Sequence, residues 1–202
     1  MKTMLKAFLI CLILTAAPAA AAPAPTREKA IADIENYFNG IKTIKSRFYQ
    51  ISDNGGTAQG DFYVLKPNKM RLEYDPPHPV EIIADGYYLI FHDKKLEQVT
   101  YLDLDDNPAS MILKENLSFA KEGLIVTDFT AENGLISVTV MKNNQPAAGQ
   151  ITLVFRDKPL TLRQWRVTDA RQITTVVTLD NMEINPPLDA KLFKFKDPKK
   201  AR

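Results

Sequence analysis

The sequence is poor in the residues that most chemistry requires. It has one cysteine, Cys11, and two histidines, His78 and His92, in 202 residues. Cys11 lies within the apolar run Ala7 to Leu14, so the chain beyond that run has no thiol nucleophile, no disulfide and no cysteine metal site. His78 sits in a proline-rich stretch and His92 at an expected hairpin end, with no acid or cysteine at a metal-ligand spacing. There is no G-x-S-x-G elbow, no H-E-x-x-H and no glycine-rich phosphate loop. The acids Asp103, Asp105 and Asp106 are the best candidate for catalysis or calcium. They lack the bend glycine and closing glutamate of a calcium loop, and a solvated loop explains them better. An enzyme is not expected, nor a cofactor or metal.

A membrane-spanning run is also missing. Ala7 to Leu14 falls far short of the roughly 20 apolar residues that cross a bilayer. It follows a basic start, Met1 to Lys6, and precedes small residues, Thr15 to Ala22, in which Ala19 and Ala21 form an A-x-A pattern. Those three parts predict a cleaved secretory signal over residues 1–21 and one mature domain over 22–202. Cys11 follows Ile10 and precedes more apolar residues, which is the wrong context for lipid attachment. Removing Lys2 and Lys6 lowers the 26 basic residues to 24, equal to the 24 acids, so the mature chain is formally neutral. Nothing then draws it to nucleic acid or to an anionic membrane. The C-terminal lysines from Lys191 onward, with Arg202, are the one basic cluster and read as a solvated tail.

What the sequence does have is β pattern after a single helix. Thr26 can cap a helix running to about Asn39, with Gly40 ending it, and Ile31, Ile34, Phe38 and Ile41 share one face that Tyr37 widens. The period then drops to two. Ile44–Tyr49, Gly60–Lys66, Met70–Tyr74, Val80–Ile83, Tyr87–His92 and Glu97–Leu102 read as strands. Pro76, Pro77 and Pro79 mark a connection, and Asp85-Gly86 a hairpin turn. Pro108 opens a short helix with Asn107 as its cap, placing Met111, Ile112 and Leu113 on about two turns that need a surface to lie on. Strands return at Leu124–Phe129, Leu135–Met141, Ile151–Phe155, Thr161–Thr168, Ile173–Leu179 and Leu192–Phe195. So many strands on short turns, without helical crossovers, predict an antiparallel sheet that must curl to protect its edges.

One stretch is more specific. Residues 60–74, G-D-F-Y-V-L-K-P-N-K-M-R-L-E-Y, precede I-I-A-D-G at 82–86, then Asn107-Pro108 before an apolar segment, and finally Phe193-Lys194-Phe195-Lys196-Asp197-Pro198. In these motifs, in this order from Ile31 to Pro198, the chain resembles the LolA family of periplasmic outer-membrane lipoprotein carrier proteins. The resemblance implies a mainly β (α+β) fold: an incomplete, unclosed antiparallel β-barrel of ten or eleven strands under an α-helical lid. It implies a periplasmic monomer whose cavity takes up the acyl chains of lipoproteins. An inner-membrane lipoprotein-release ABC transporter complex would supply them. An outer-membrane acceptor lipoprotein, or the outer membrane directly, would receive them.

On this reading Phe48, Phe62, Val64, Met70, Leu72, Tyr74 and Ile82 are the expected acyl-binding residues, and Met111, Ile112 and Leu113 the lid. Lys66 stands where the family has an arginine that bonds carbonyls of the lid helices; lysine keeps the charge but not the planar fork. It reads equally as an ordinary strand-end lysine. A cavity and a plain core need the same residue types, and the 108–113 helix could move as a lid or plug the barrel in place. Trp165, the lone tryptophan, reads as core. The alternatives are a periplasmic lipid- or lipoprotein-binding sensor of the same fold that regulates an envelope-stress partner, an outer-membrane acceptor, and a hydrolase. The sensor would usually carry a second domain, the acceptor a lipidated N-terminus, and the hydrolase a catalytic constellation.

Overall fold

A computed structural model describes residues 24–198, so the expected signal at 1–21 and the last basic residues lie outside the described residues. The expected helix is α1 (Arg27–Asn39). The Thr26 side chain accepts from the Lys29 N–H at 3.3 Å, and the Gly40 N–H closes the far end on the Asn36 and Phe38 carbonyls. Its apolar face buries Ala30, Ile34 and Phe38, with Ile41 just beyond, while Ile31 stays partly exposed. Full burial of Ile34 and Phe38 stabilises by roughly 1.5–3 kcal/mol each.

Eleven strands follow in one sheet. They are β1 (Thr43–Ser52), β2 (Thr57–Leu65), β3 (Lys69–Tyr74), β4 (Val80–Asp85), β5 (Tyr88–Asp93) and β6 (Gln98–Asp103), then β7 (Leu124–Glu132), β8 (Leu135–Lys142), β9 (Gln150–Arg156), β10 (Thr161–Thr168) and β11 (Thr174–Ile184). Their spatial order is β6-β5-β4-β3-β2-β1-β11-β10-β9-β8-β7. Each neighbour is antiparallel, and β6 and β7 remain as free edges of an unclosed barrel. The fold is therefore two meanders sewn together at β1 and β11, whose register slips once between Lys45 and Arg47. Ser46 fills that irregularity, its hydroxyl lying 2.8 Å from both the Arg47 and Asp180 carbonyls.

α1 packs on the concave side. Tyr37 and Phe38 meet Phe155 edge-on at 5.7 and 5.9 Å, and the Tyr37 hydroxyl accepts from the Leu162 N–H. Asn39 exchanges two hydrogen bonds with the Leu117 backbone, at 3.0 and 2.7 Å, fixing the loop that follows the 108–113 segment to the helix.

Two expected elements differ. Pro108–Leu113 is a 3-10 helix rather than two α-turns: Lys114 N–H bonds the Met111 carbonyl, a three-residue step. Six residues are too few to repay α-helix nucleation, and the tighter turn is the usual substitute. Leu192–Phe195 is not a strand. Ala190–Phe193 forms another 3-10 turn, capped by the Asp189 side chain. β11 is already paired on both sides, by β1 and β10, so no strand can be added there. The segment instead crosses the outer face of β3 and β4, burying Phe193, with the Arg71 guanidinium donating to the Leu192 carbonyl at 3.2 Å.

Candidate functional site

The concave side of the sheet holds an apolar cavity of about 280 Å³. One wall comes from the first meander: Met70, Leu72 and Tyr74 alternate inward along β3, joined by Ile82 of β4 and by Leu89 and Phe91 of β5. The other wall comes from the second meander, with Trp165 and Val167 of β10 and Thr175 and Val177 of β11. The roof is the segment after β6, where Leu104, Asn107, Ser110, Ile112 and Leu113 face the space. A backbone bond of 2.9 Å from the Asn68 N–H to the Leu113 carbonyl ties this roof to the β2–β3 turn.

No carboxylate, lysine, arginine or histidine lies on the wall. Its one titratable group is the Tyr74 phenol, which burial pushes up to about 12 and whose hydroxyl donates to Gln50 Oε1 at 2.7 Å. Gln50 accepts the hydrogen bond of the Tyr74 hydroxyl, the rest of the lining is mostly apolar, and no charged group lies there to move a proton. Apolar chains are what such a wall accommodates.

Of the residues read from sequence, Met70, Leu72, Tyr74, Ile82, Ile112 and Leu113 line the cavity. Phe48, Phe62 and Val64 lie deeper, in the same buried cluster as Ile34 and Phe38. Phe48 meets the Tyr74 ring edge-on at 5.1 Å, and Phe62 packs on Trp165 at 5.1 Å, so both back the wall. Met111 is buried in the same cluster. Gly60 makes the Phe48–Tyr74 contact feasible. It is paired with Phe48 on one side and Tyr74 on the other, and a side chain there would stand between the rings.

Lys66 lies partly buried just past β2. Its ammonium donates to the Phe38 carbonyl at 2.7 Å, in the last turn of α1, and sits 5.6 Å from the Phe38 ring. Burial lowers its pKa to about 8. The bond fits a cation at a helix C-terminus, but it holds α1 and not the 108–113 segment. The acid run has an equally local use. Asp103 caps the turn at 104–106, Asp105 pairs with Lys114 at 2.8 Å, and Asp106 accepts from Gln145 at 3.0 Å. Among the described residues no three acids or histidines converge as a metal site, and no helix is long and apolar enough to cross a membrane.

Trp165, Val167, Val177, Leu89 and Phe91 were not read as wall residues. Alternation in β10 and β11 could have flagged the first three. For β5 it could not, because Leu89, Ile90 and Phe91 are apolar on both faces, and Ile90 is buried on the outer side.

A curled, unclosed antiparallel sheet with an apolar, uncharged cavity under a short helical roof defines a half-barrel protein with an internal apolar site. The family model described as "Outer membrane lipoprotein carrier protein LolA" matches residues 39–196, and the chain belongs to that family. An outer-membrane lipoprotein carrier protein of Cupriavidus pinatubonensis is 31% identical over 200 residues, covering 90% of each chain. An uncharacterised protein of Rickettsia prowazekii, RP864, is 24% identical over 83% of this chain and 77% of its own length. Among solved structures, a DUF1329 family protein from Desulfovibrio piger shares the fold with a TM-score of 0.53 at 10% identity, over 82% of this chain and 95% of that one.

Proposed function

We propose that this chain is a periplasmic carrier that binds the acyl chains of lipoproteins released from the inner membrane and delivers them to the outer membrane. The observation that carries the reading is the uncharged apolar cavity, walled by both meanders, in a member of this family. Met70, Leu72, Tyr74, Ile82 and Trp165 contact the chain, backed by Phe48, Phe62 and Val64. Each methylene moved from water to such a wall contributes about 0.8 kcal/mol, enough for a groove to compete with a membrane surface.

The cavity of about 280 Å³ falls just below the roughly 300–1,000 Å³ of ordinary small-ligand sites. It therefore takes part of one acyl chain as it stands, and fuller loading requires the 108–113 roof to lift. A six-residue 3-10 helix suits that motion, since its internal bonds are few and it is held mainly by packing and by the Asn68–Leu113 backbone bond. Transfer needs no bond chemistry, only an affinity gradient between an inner-membrane ATP-driven release complex and an outer-membrane acceptor or the membrane itself.

The test is mass spectrometry of what co-purifies with the mature protein from its native periplasm without detergent. Acylated lipoproteins are expected, and Leu72→Asp should lose them while near-ultraviolet dichroism of Trp165 verifies folding. Phospholipid alone would change the cargo. No bound lipid, even after purified lipoprotein is offered, would refute the reading.

A further inference from the structure

The two free edges of the sheet are finished differently. β7 carries a bulge between Val126 and Asp128, and the Arg27 guanidinium occupies the Val126 carbonyl at 2.8 Å. Bulges and covering groups are how natural sheets deter a further strand. β6 has neither. It runs in unbroken register against β5 from Gln98 to Asp103, and its sequence, Q-V-T-Y-L-D, has no lysine, arginine, proline or glycine. The Leu104 N–H bonds the Tyr87 carbonyl at 3.0 Å, and antiparallel alternation from that pair turns the backbone groups of Val99 and Tyr101 outward.

This open edge borders the cavity. Leu89 and Phe91, both on the wall, pair directly with Leu102 and Thr100 of β6, and Leu104 lines the space as the chain leaves the strand. Leu102 shares the face of Leu89 and is 48% exposed, so an apolar strip runs from the wall to the unpaired edge.

We propose that β6 is a docking strand for the cargo's own polypeptide: the extended segment that follows the acylated residue adds to β6 while the acyl chain occupies the cavity. The inference rests on the carrier reading above. Acyl chains seated against Leu89 and Phe91 place the first residues of the client at Thr100 and Leu102, and about six of them span the strand. Pairing through the main chain is tolerant of sequence, which suits a carrier whose clients share a lipid and little else. The bonds form only with an extended segment, so a client is gripped by its tether and not by its folded body.

The test uses the mature protein unaltered and two probes, an acylated cysteine and the same group followed by a flexible peptide of about eight residues. Binding is read from Trp165 fluorescence, and the edge from amide hydrogen exchange at Val99 and Tyr101. The peptide-bearing probe is expected to bind about tenfold tighter and to slow exchange at both amides at least about tenfold. N-methylation of alternate peptide amides should abolish both effects and leave acyl binding intact. Equal affinity of the two probes, or a gain that survives N-methylation, would overturn the proposal. So would edge amides already protected by self-association without a probe. If neither probe binds, the carrier reading itself fails and this inference falls with it.

Discussion

Gly60 carries the sharpest test of how the cavity wall is built. A Cβ placed on it would stand 2.0 Å from the Glu73 carbonyl oxygen and 2.8 Å from a ring carbon of Phe48. Carbon and carbonyl oxygen ordinarily approach no closer than about 3.3 Å. β2 and β3 would have to separate by more than about an ångström, and the obstacle is backbone, which cannot rotate aside. Overpacking of this kind costs about 1–3 kcal/mol, and weakening one or two ladder bonds adds about 1 kcal/mol each. Gly60→Ala should therefore lose about 3 kcal/mol. With a urea slope near 2 kcal/mol per molar, the denaturation midpoint should fall by about 1.5 M. The same displacement pushes Phe48 off Tyr74 and breaks the Tyr74–Gln50 bond, so binding of an acylated probe should weaken in the protein that remains folded. Gly40→Ala is the control. Gly40 has φ of −77° and meets nothing nearer than 3.5 Å, so alanine there should leave stability unchanged or raise it by about 0.4–1 kcal/mol. An unshifted midpoint for Gly60→Ala, measured beside that control, would refute this account of the wall.

Lys66 supplies a pH dependence. Its pKa falls from 10.5 in the open chain to about 8 in the fold, so between those values the unfolded state binds more protons and stability should rise with pH; in Lys66→Met this rise should be missing from the urea midpoint. Arg71→Ala should cost about 3 kcal/mol, the low end for a broken buried pair, because Glu81 keeps His92 at 2.9 Å and Lys94 at 3.5 Å. Losing the bond to Leu192 should also expose the 186–198 segment to limited proteolysis, and unchanged cleavage would argue against that tie. Cysteines at Asn68 and Leu113, bridged by a short thiol cross-linker, should fix the roof and abolish loading of an acylated probe; normal loading would mean that the roof need not move.

The hairpins were legible because each level of the sequence agrees with the next. β1 to β3 alternate cleanly, their turns carry glycine, proline or asparagine, and Thr26 and Gly40 bracket the one α-helix. The misreadings share a cause in tertiary context. Phe193 and Phe195 alternate as a strand would, yet the segment turns across the outer face of the sheet, where Phe193 is buried and the Phe195 ring meets His92 and Tyr101 edge-on. That cover is also why β4 and β5 are apolar on both faces, with Ile83 and Ile90 buried outside and Ile82 and Leu89 inside, which hid the inward set from any period-two reading. Trp165 looked like core and does pack on Phe62, but the curl of the sheet leaves its other side open to the cavity. Whether an inward residue meets another side chain or empty space depends on that curl, which no local pattern encodes.

The seam between β1 and β11 governs when the cavity can exist. Strands β1 to β6 and β7 to β11 are each chains of neighbouring hairpins, so both meanders can form from local pairings soon after they are synthesised. The seam joins residues 43–52 to residues 174–184, a contact of long sequence separation, and it must wait for the last strand. Met70, Leu72 and Leu89 lie on one side of that seam, and Trp165, Val167 and Val177 on the other or at it. Neither half of the chain encloses a cavity alone. A molecule that lacks either meander therefore has no finished apolar site, and the cavity is complete only once the seam has closed.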